Sequence, residues 1–291
     1  MTYSSQINPH RILTFDIEEW FHILDVEAIN DVKKWDGYQS RIVENVDRIL
    51  FQLEERKIIS TFFCLGWIAE KYPEVIRKID NHGHEIGTHS HLHQLVYQQK
   101  LDDFRQDLNA SIKYLEDIIG KKVKSYRSPG FSLNRKSLWA LDVLVECGIE
   151  VDCSIFPAPR SHGGIHDFKL SKPFLINHNG SLIKEFPMST WGIGVMKFGL
   201  IGGGYFRLVP YDLLKQLVRR KTYLMTYFHP RDFDYGQPIL NELSIIRRFR
   251  SYYGLKDSFK KFNKFTEDFE FMSLAQAQKL IDWSKVETVY L

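Results

Sequence analysis

Short apolar runs that end in polar clusters recur along this chain, with helical patterns between them. Residues 11–15 (RILTF) run into Asp16, Glu18, Glu19 and His22. Residues 58–65 (IISTFFCL) are rich in β-branched and aromatic side chains, as buried strands are. Residues 84–88 deliver His89, residues 123–126 lead to Arg127, residues 150–152 begin a strand at Asp152, and residues 224–228 deliver His229. Between these runs, Ile42, Val43, Val46, Ile49, Leu50 and Leu53 recur at helical spacing. The same periodicity predicts helices over 67–81, with Pro73 near a start or a break, over 101–119 up to Gly120, and over 135–147 up to Gly148. Strands alternating with helices imply parallel βαβ units. Polar clusters at strand ends place a site where an α/β barrel builds one. The expected fold class is therefore α/β, a distorted (β/α) barrel with loop insertions and C-terminal helices. Residues 155–206 break the rhythm with Pro157, Pro159, Gly163, Gly164 and Gly202–Gly203–Gly204, and read as long loops or an inserted hairpin.

Composition narrows the class. A hydrophobic fraction of 44% and a charged fraction of 26% are those of a globular chain, and 291 residues fill one large domain or two small ones. No linker divides the sequence. The expectation is one domain over 1–291, with a core over about 11–235 and a helical extension over 236–291. A net charge of +3 is too small a bias to argue for nucleic acid. Cys64, Cys147 and Cys153 form neither a CxxC pair nor an even framework, which reads as reduced thiols.

Five clusters carry possible chemistry. In Thr88-His89-Ser90-His91-Leu92-His93, a helix opening after the strand puts His89 and His93 four apart on one face. Two imidazoles so placed can bind one divalent ion; the alternative is a polar helix start. In Asp16-Ile17-Glu18-Glu19, carboxylates bunched after an apolar strand are costly to desolvate without cations. Asp16 and Glu18 share a face in extended chain, so one could bind metal while the other acts as base, or the acids could cap the next helix. Arg127, beside Ser128-Pro129-Gly130, could pair with one of those carboxylates. Asp152 could orient a histidine or merely cap a turn. His229, alone, would be a satisfied core residue; with the other four clusters it completes an acid/base set.

Taken together these segments resemble the polysaccharide deacetylase family, the NodB-homology or carbohydrate esterase family 4 enzymes. The likeness runs in order from about residue 11 to 235 and is most specific from Ser60-Thr61-Phe62-Phe63 through Gly83-His84-Glu85-Ile86-Gly87-Thr88-His89 to His93. Glu185-Phe186-Pro187, Gly202-Gly203-Gly204-Tyr205-Phe206-Arg207 and His229-Pro230 resemble a subgroup associated with exopolysaccharide and surface-glycan biosynthesis.

The resemblance implies a metal, zinc by default, held by His89, His93 and a carboxylate. It implies Asp16 as general base steadied by Arg127, and His229 as general acid tuned by Asp152. Most members carry two adjacent aspartates after the first strand. Here Ile17 follows Asp16, which assigns the ligand to Glu18, as in relatives with an acid-x-acid pattern, or else to Glu19. The implied activity is removal of an N-acetyl group from an acetamido sugar in a polysaccharide, oligosaccharide or lipid-linked precursor. The alternatives are a metal-dependent amidohydrolase of small ureides and an inactive glycan-binding relative. Trp20, Phe21, Trp191 and Tyr205 could stack on sugar faces or pack as core and rim. The first residues show no apolar leader, so the expected location is cytoplasmic. Arginines, lysines and aromatics interleave over 247–265, which suits either an anionic membrane surface carrying a lipid-linked glycan or amphipathic helices covering the barrel.

Overall fold

The structure is a computed structural model that describes residues 10–291 except 25, 27, 28, 166–169, 194, 195 and 200. Residues 1–9, the first part of the stretch on which the reading of the N-terminal leader rests, lie outside that set, as do seven residues of the expected loop segment, 166–169, 194, 195 and 200. Strands β1 (His10–Ile12) and β2 (Thr14–Ile17) open the fold. Helix α1 (Val32–Trp35) is short; α2 (Ile42–Glu55) buries Ile42, Val46, Ile49, Leu50 and Leu53, the apolar stripe expected of it. Strand β3 (Thr61–Cys64) follows, fully buried. The predicted helix over 67–81 is two helices, α3 (Gly66–Lys71) and α4 (Pro73–Asn81). Pro73 occupies the first turn of α4, where its missing N–H is not needed.

Strand β4 (Glu85–Thr88) precedes α5 (Leu101–Ile119), which ends at Gly120 in the left-handed conformation, φ 66°. Then come β5 (Ser125–Tyr126), α6 (Trp139–Glu146) and β6 (Val151–Asp152). The segment expected to be loops holds two hairpins, β7 (Phe174–His178) with β8 (Ser181–Glu185) and β9 (Thr190–Ile193) with β10 (Met196–Gly199). Helices α7 (Gly203–Leu208) and α8 (Tyr211–Arg219) lead to β11 (Tyr223–Met225). The remainder is α9 (Ile245–Tyr252), α10 (Leu255–Asp268), α11 (Leu274–Leu280) and a last strand, β12 (Thr288–Tyr290).

One sheet runs β12-β7-β8-β6-β5-β4-β3-β2, and only the β7–β8 pair in it is antiparallel. β1 pairs with β11 in parallel, and Phe15 bridges to Phe228. The barrel closes between the end of β8 and β11 through side chains: Met225 N donates to Ser189 Oγ at 2.9 Å and the Tyr223 hydroxyl donates to the Pro187 carbonyl at 2.7 Å. That seam, without ladder bonds, is the distortion. β12 was not anticipated; it extends the sheet beside β7, so the C-terminal part is not purely helical.

The parallel register aligns the ends of β2, β4, β5 and β6, which brings residues 16–18, 89, 127 and 152 to one rim. Close helix packing supports it. A Cβ on Gly66 would lie 2.7 Å from the Cα of Ser111 in α5, too close for backbone to absorb. Gly66→Ala should therefore lower stability by about 1–3 kcal/mol, read as a lower Tm; an unchanged melting curve would show that α3 and α5 have room to separate.

Candidate active site

Asp16 lies one residue before the end of β2, with its carboxylate facing the barrel rim. Arg127 Nη1 donates to Asp16 Oδ1 at 2.7 Å and to Thr14 Oγ1 at 2.7 Å. The guanidinium lies over the Phe63 ring, 4.2 Å from its centroid, and Nε reaches the Cys153 carbonyl. The expected pairing of Arg127 with an acid of the first cluster is thus present.

Glu18, His89 and His93 bring one ligand atom each within 4.8 Å of one another, all buried. They do so without the helix expected over 89–93. Ser90 and His93 have φ of 68° and 53°, and the segment is a loop. Its backbone is already committed. Asp107 on α5 accepts from His91 N and Leu92 N at 2.8 and 2.9 Å, while the Ser90 and His91 carbonyls accept from Gly66 N and Trp67 N. These contacts cap α3 with the loop and leave no ladder for a helix.

The donor set fits a divalent cation. His89 Nδ1–H donates to the Arg127 carbonyl at 2.7 Å, which leaves Nε2 as the ligand atom. Burial holds its pKa down to about 4, so the ring is neutral, as a ligand must be. His93 Nε2 stands 2.6 Å from Glu18 Oε2, yet that oxygen makes no aligned hydrogen bond. Two ligand-type atoms pressed together without hydrogen-bond geometry suit a shared cation. Burial alone raises the Glu18 pKa, but His93 and His229 outweigh it and hold the carboxyl well below the usual range. Glu19 is no ligand here. Its Oε1 accepts from Ser40 Oγ, Arg41 N and Ile42 N at 2.5, 2.8 and 3.0 Å, so it caps α2.

His229 follows β11, with Nε2 at 3.3 Å from Glu18 Oε1 and 3.9 Å from Asp16 Oδ2. Its expected partner was Asp152; the structure corrects this. Asp232 Oδ2 accepts from both His229 N and His229 Nδ1, at 2.9 and 3.0 Å. The turn at Pro230 folds Asp232 back onto His229 three residues away. Burial lowers the imidazole pKa, but Glu18 and Asp232 raise it by more, to about 9. Asp152 instead sits behind Arg127, fully buried, where it accepts from Ser154 Oγ at 2.5 Å.

The cavity over these groups measures about 670 Å³ and is lined by Asp16, Glu18, His89, His93 and His229. Of the four aromatics that could either stack on a sugar or pack as core and rim, only Tyr205 lines it. Trp20 and Phe21 are core, and Trp191 packs at the core rim. Phe131, Phe156, Phe198 and Tyr227 line it instead, with five arginines, Arg160, Arg207, Arg231, Arg247 and Arg250. Sequence reading also missed His22 as a lining residue. It is buried, with Nδ1 accepting from Glu19 N and Nε2 unpartnered. Its place in the first polar cluster was the available signal.

Residues 34–151 match the polysaccharide deacetylase family model, and residues 153–279 match a domain of unknown function, DUF3473. A peptidoglycan-N-acetylglucosamine deacetylase of Bacillus cereus is 32% identical over 101 residues, 34% of this chain and 37% of that protein. A chitooligosaccharide deacetylase of Azorhizobium caulinodans is 31% identical over 121 residues, 40% of this chain and 56% of that protein. The aligned parts thus span between about a third and just over half of the length of these curated relatives. A crystal structure from Mycobacterium smegmatis, assigned to the polysaccharide deacetylases, superposes with a TM-score of 0.66 at 18% identity, over 100% of this chain and 96% of that one. A CE4 family pseudoenzyme from Bacillus anthracis superposes with a TM-score of 0.51 at 14% identity, over 98% of this chain and 70% of that one. Residues 34–151 are thus similar to the polysaccharide deacetylases, and over its length the chain carries the α/β fold seen in the Mycobacterium smegmatis structure.

Proposed function

We propose that this chain is a metal-dependent hydrolase that removes an N-acetyl group from an acetamido sugar. One observation carries the reading: a buried carboxylate–imidazole triad, an arginine-held aspartate and an aspartate-held histidine share a single cavity. Relatives named as peptidoglycan and chitooligosaccharide deacetylases support the substrate class.

Glu18, His89 and His93 would hold the ion, and imidazole with carboxylate suits zinc among the divalent transition ions. When bound, such an ion polarises the acetamide carbonyl and makes a water easier to deprotonate. Asp16 accepts that proton as the water attacks; Arg127 fixes one carboxylate oxygen and leaves the other facing the cavity. His229 gives a proton to the departing nitrogen, because an unprotonated amine leaves poorly. Asp232 sets its orientation by holding Nδ1, which points Nε2 toward Asp16 and Glu18. The five arginines of the cavity wall favour a substrate with an anionic group, such as a glycan precursor carried on a lipid phosphate in surface-glycan assembly.

The deciding measurement is mass spectrometry of acetylated chito-oligosaccharides, peptidoglycan fragments and lipid-linked precursors incubated with metal-loaded protein. Loss of an acetyl group is expected; intact substrates throughout, alongside cleavage of a ureide, would assign the site to the small-molecule amidohydrolases. Metal content gives a second check. His89→Ala with His93→Ala should abolish binding of a divalent ion, and a stoichiometric ion in that double variant would remove the proposed site.

Roles separate by leaving group. Asp16→Asn should keep the ion and lose about 10²–10⁴-fold in turnover on every substrate. His229→Gln should lose a similar factor on N-acetyl sugars but retain hydrolysis of 4-nitrophenyl acetate, whose leaving group departs without a proton. Equal losses on both substrates would mean that His229 is not the acid.

A further inference from the structure

The basic, aromatic segment over 247–265 suited either a membrane surface or a cover for the barrel, and the structure divides it between the two. Helix α10 is cover: it buries Leu255, Phe262 and Phe265, and Phe259 packs against the same core. Helix α9 is different, because none of its residues is buried. Ile245, Ile246 and Phe249 are 79%, 67% and 53% exposed, and Tyr253, just past its end, is 51% exposed. At about 100° per residue these four fall within an arc of about 100°, and the Phe249 and Tyr253 rings lie 4.8 Å apart. Arg248 falls on one side of that arc and Arg250 on the other. Residues 245–253 contain three arginines and no acid.

Single exposed apolar residues are ordinary on a soluble surface, but a contiguous stripe marks an interaction site. An apolar stripe between arginines, with no acidic residue, matches a helix lying in the interface of an anionic bilayer. Its aliphatic and aromatic side chains enter the headgroup boundary while arginine stems reach lipid phosphates.

The mounting of α9 gives this face a consequence. Arg207 Nη2 donates to the Arg250 and Ser251 carbonyls at 2.9 and 3.0 Å, and Nε donates to the Tyr253 carbonyl at 3.0 Å. Its Nη1 donates to Asp232 Oδ1 at 2.5 Å, the carboxylate that holds His229. A Cβ on Gly204 would stand 2.7 Å from the Arg250 carbonyl, so α7 and α9 lie in close contact. Arg247, Arg250 and Ser251 line the cavity. One side of α9 is therefore tied to the site while the apolar stripe faces out.

We propose that α9 seats this chain on an anionic lipid surface, with the mouth of the cavity at the level of the headgroups. The inference concerns seating alone and does not depend on the reaction.

The test is sedimentation of the full chain with vesicles of phosphatidylcholine, with and without phosphatidylglycerol. Binding to the anionic vesicles, weakened by salt, is expected, with little on the neutral ones. The double variant Ile245→Glu, Phe249→Glu should bind anionic vesicles at least ~10-fold more weakly, and Arg248→Glu should weaken binding as well. Circular dichroism and thermal melting of the double variant should match the parent, since Ile245 and Phe249 are largely exposed. Failure of the parent to sediment with anionic vesicles would overturn the proposal, as would unchanged binding by the double variant. Light scattering that shows a dimer dissolved by the double variant, with no vesicle binding, would assign the stripe to a second copy instead.

Discussion

The buried pair of Arg127 and Asp16 is the interaction on which the rest of the site depends. Both side chains are removed from water, at 0% and 2% exposure. Two charges in that position are tolerable only if each is further satisfied. Arg127 meets that condition at Nη1 and Nε, through Thr14 and the Cys153 carbonyl, and over the Phe63 ring, while Nη2 has no hydrogen-bond partner. The same residue reaches the proposed metal site through its backbone, because its carbonyl accepts from His89 Nδ1 and so fixes which nitrogen is left free. One position thus orients the proposed base and a proposed ligand. Displacement of this arginine would disturb both halves of the chemistry, beyond the about 3–5 kcal/mol that follows when a buried pair loses one member.

Behind the guanidinium stands a second acidic pair, which explains where Asp152 went. Asp152 and Glu185 are both fully buried, and burial raises both pKa values, that of Asp152 to about 6 and that of Glu185 well above its ordinary value. Two adjacent carboxyls in such a place ionise together only at high cost, so they titrate as a pair. Glu185 Oε1 accepts from Ile155 N, and Ser154 Oγ bridges from Asp152 Oδ1 to Ser128 N, the residue after Arg127. Asp152 therefore supports the arginine side of the site. The histidine side finds its carboxylate locally, in Asp232.

That division accounts for what could be read from the sequence. Strand ends were legible because parallel strands must present their C-terminal residues together, and apolar runs ending in Asp16, His89, Arg127 and His229 mark those ends directly. Longer helices were legible from the spacing of Val46, Ile49 and Leu53 in α2 and of Phe104, Leu108 and Leu115 in α5. The loop over 89–93 was not, because its shape is decided by Asp107, a residue on another element whose carboxylate takes two loop N–H groups. Asp232 was within reach, since His-Pro-x-Asp places a carboxylate three residues beyond the histidine, where a capping turn closes. β12 was not, because three residues at a chain end carry too little periodicity to mark a strand.

The two family matches divide the site in a way that bears on specificity. His89, His93 and Arg127 fall in the polysaccharide deacetylase segment, while His229, Asp232, Tyr205 and the cavity arginines fall in the segment matched as DUF3473. Asp16 and Glu18 precede both. The proposed ligands and the arginine that orders them thus come from the β2–β5 part of the sheet, whose parallel register constrains them tightly. The proposed acid, the aromatic wall apart from Phe131, and the cationic wall come from the later segment, held by Arg207 spanning α7, α9 and Asp232. Register fixes where bond breaking can occur. What approaches that point is set mainly by residues 153–279, together with His22 and Phe131, and the loops and short helices of that later segment can vary without disturbing the sheet.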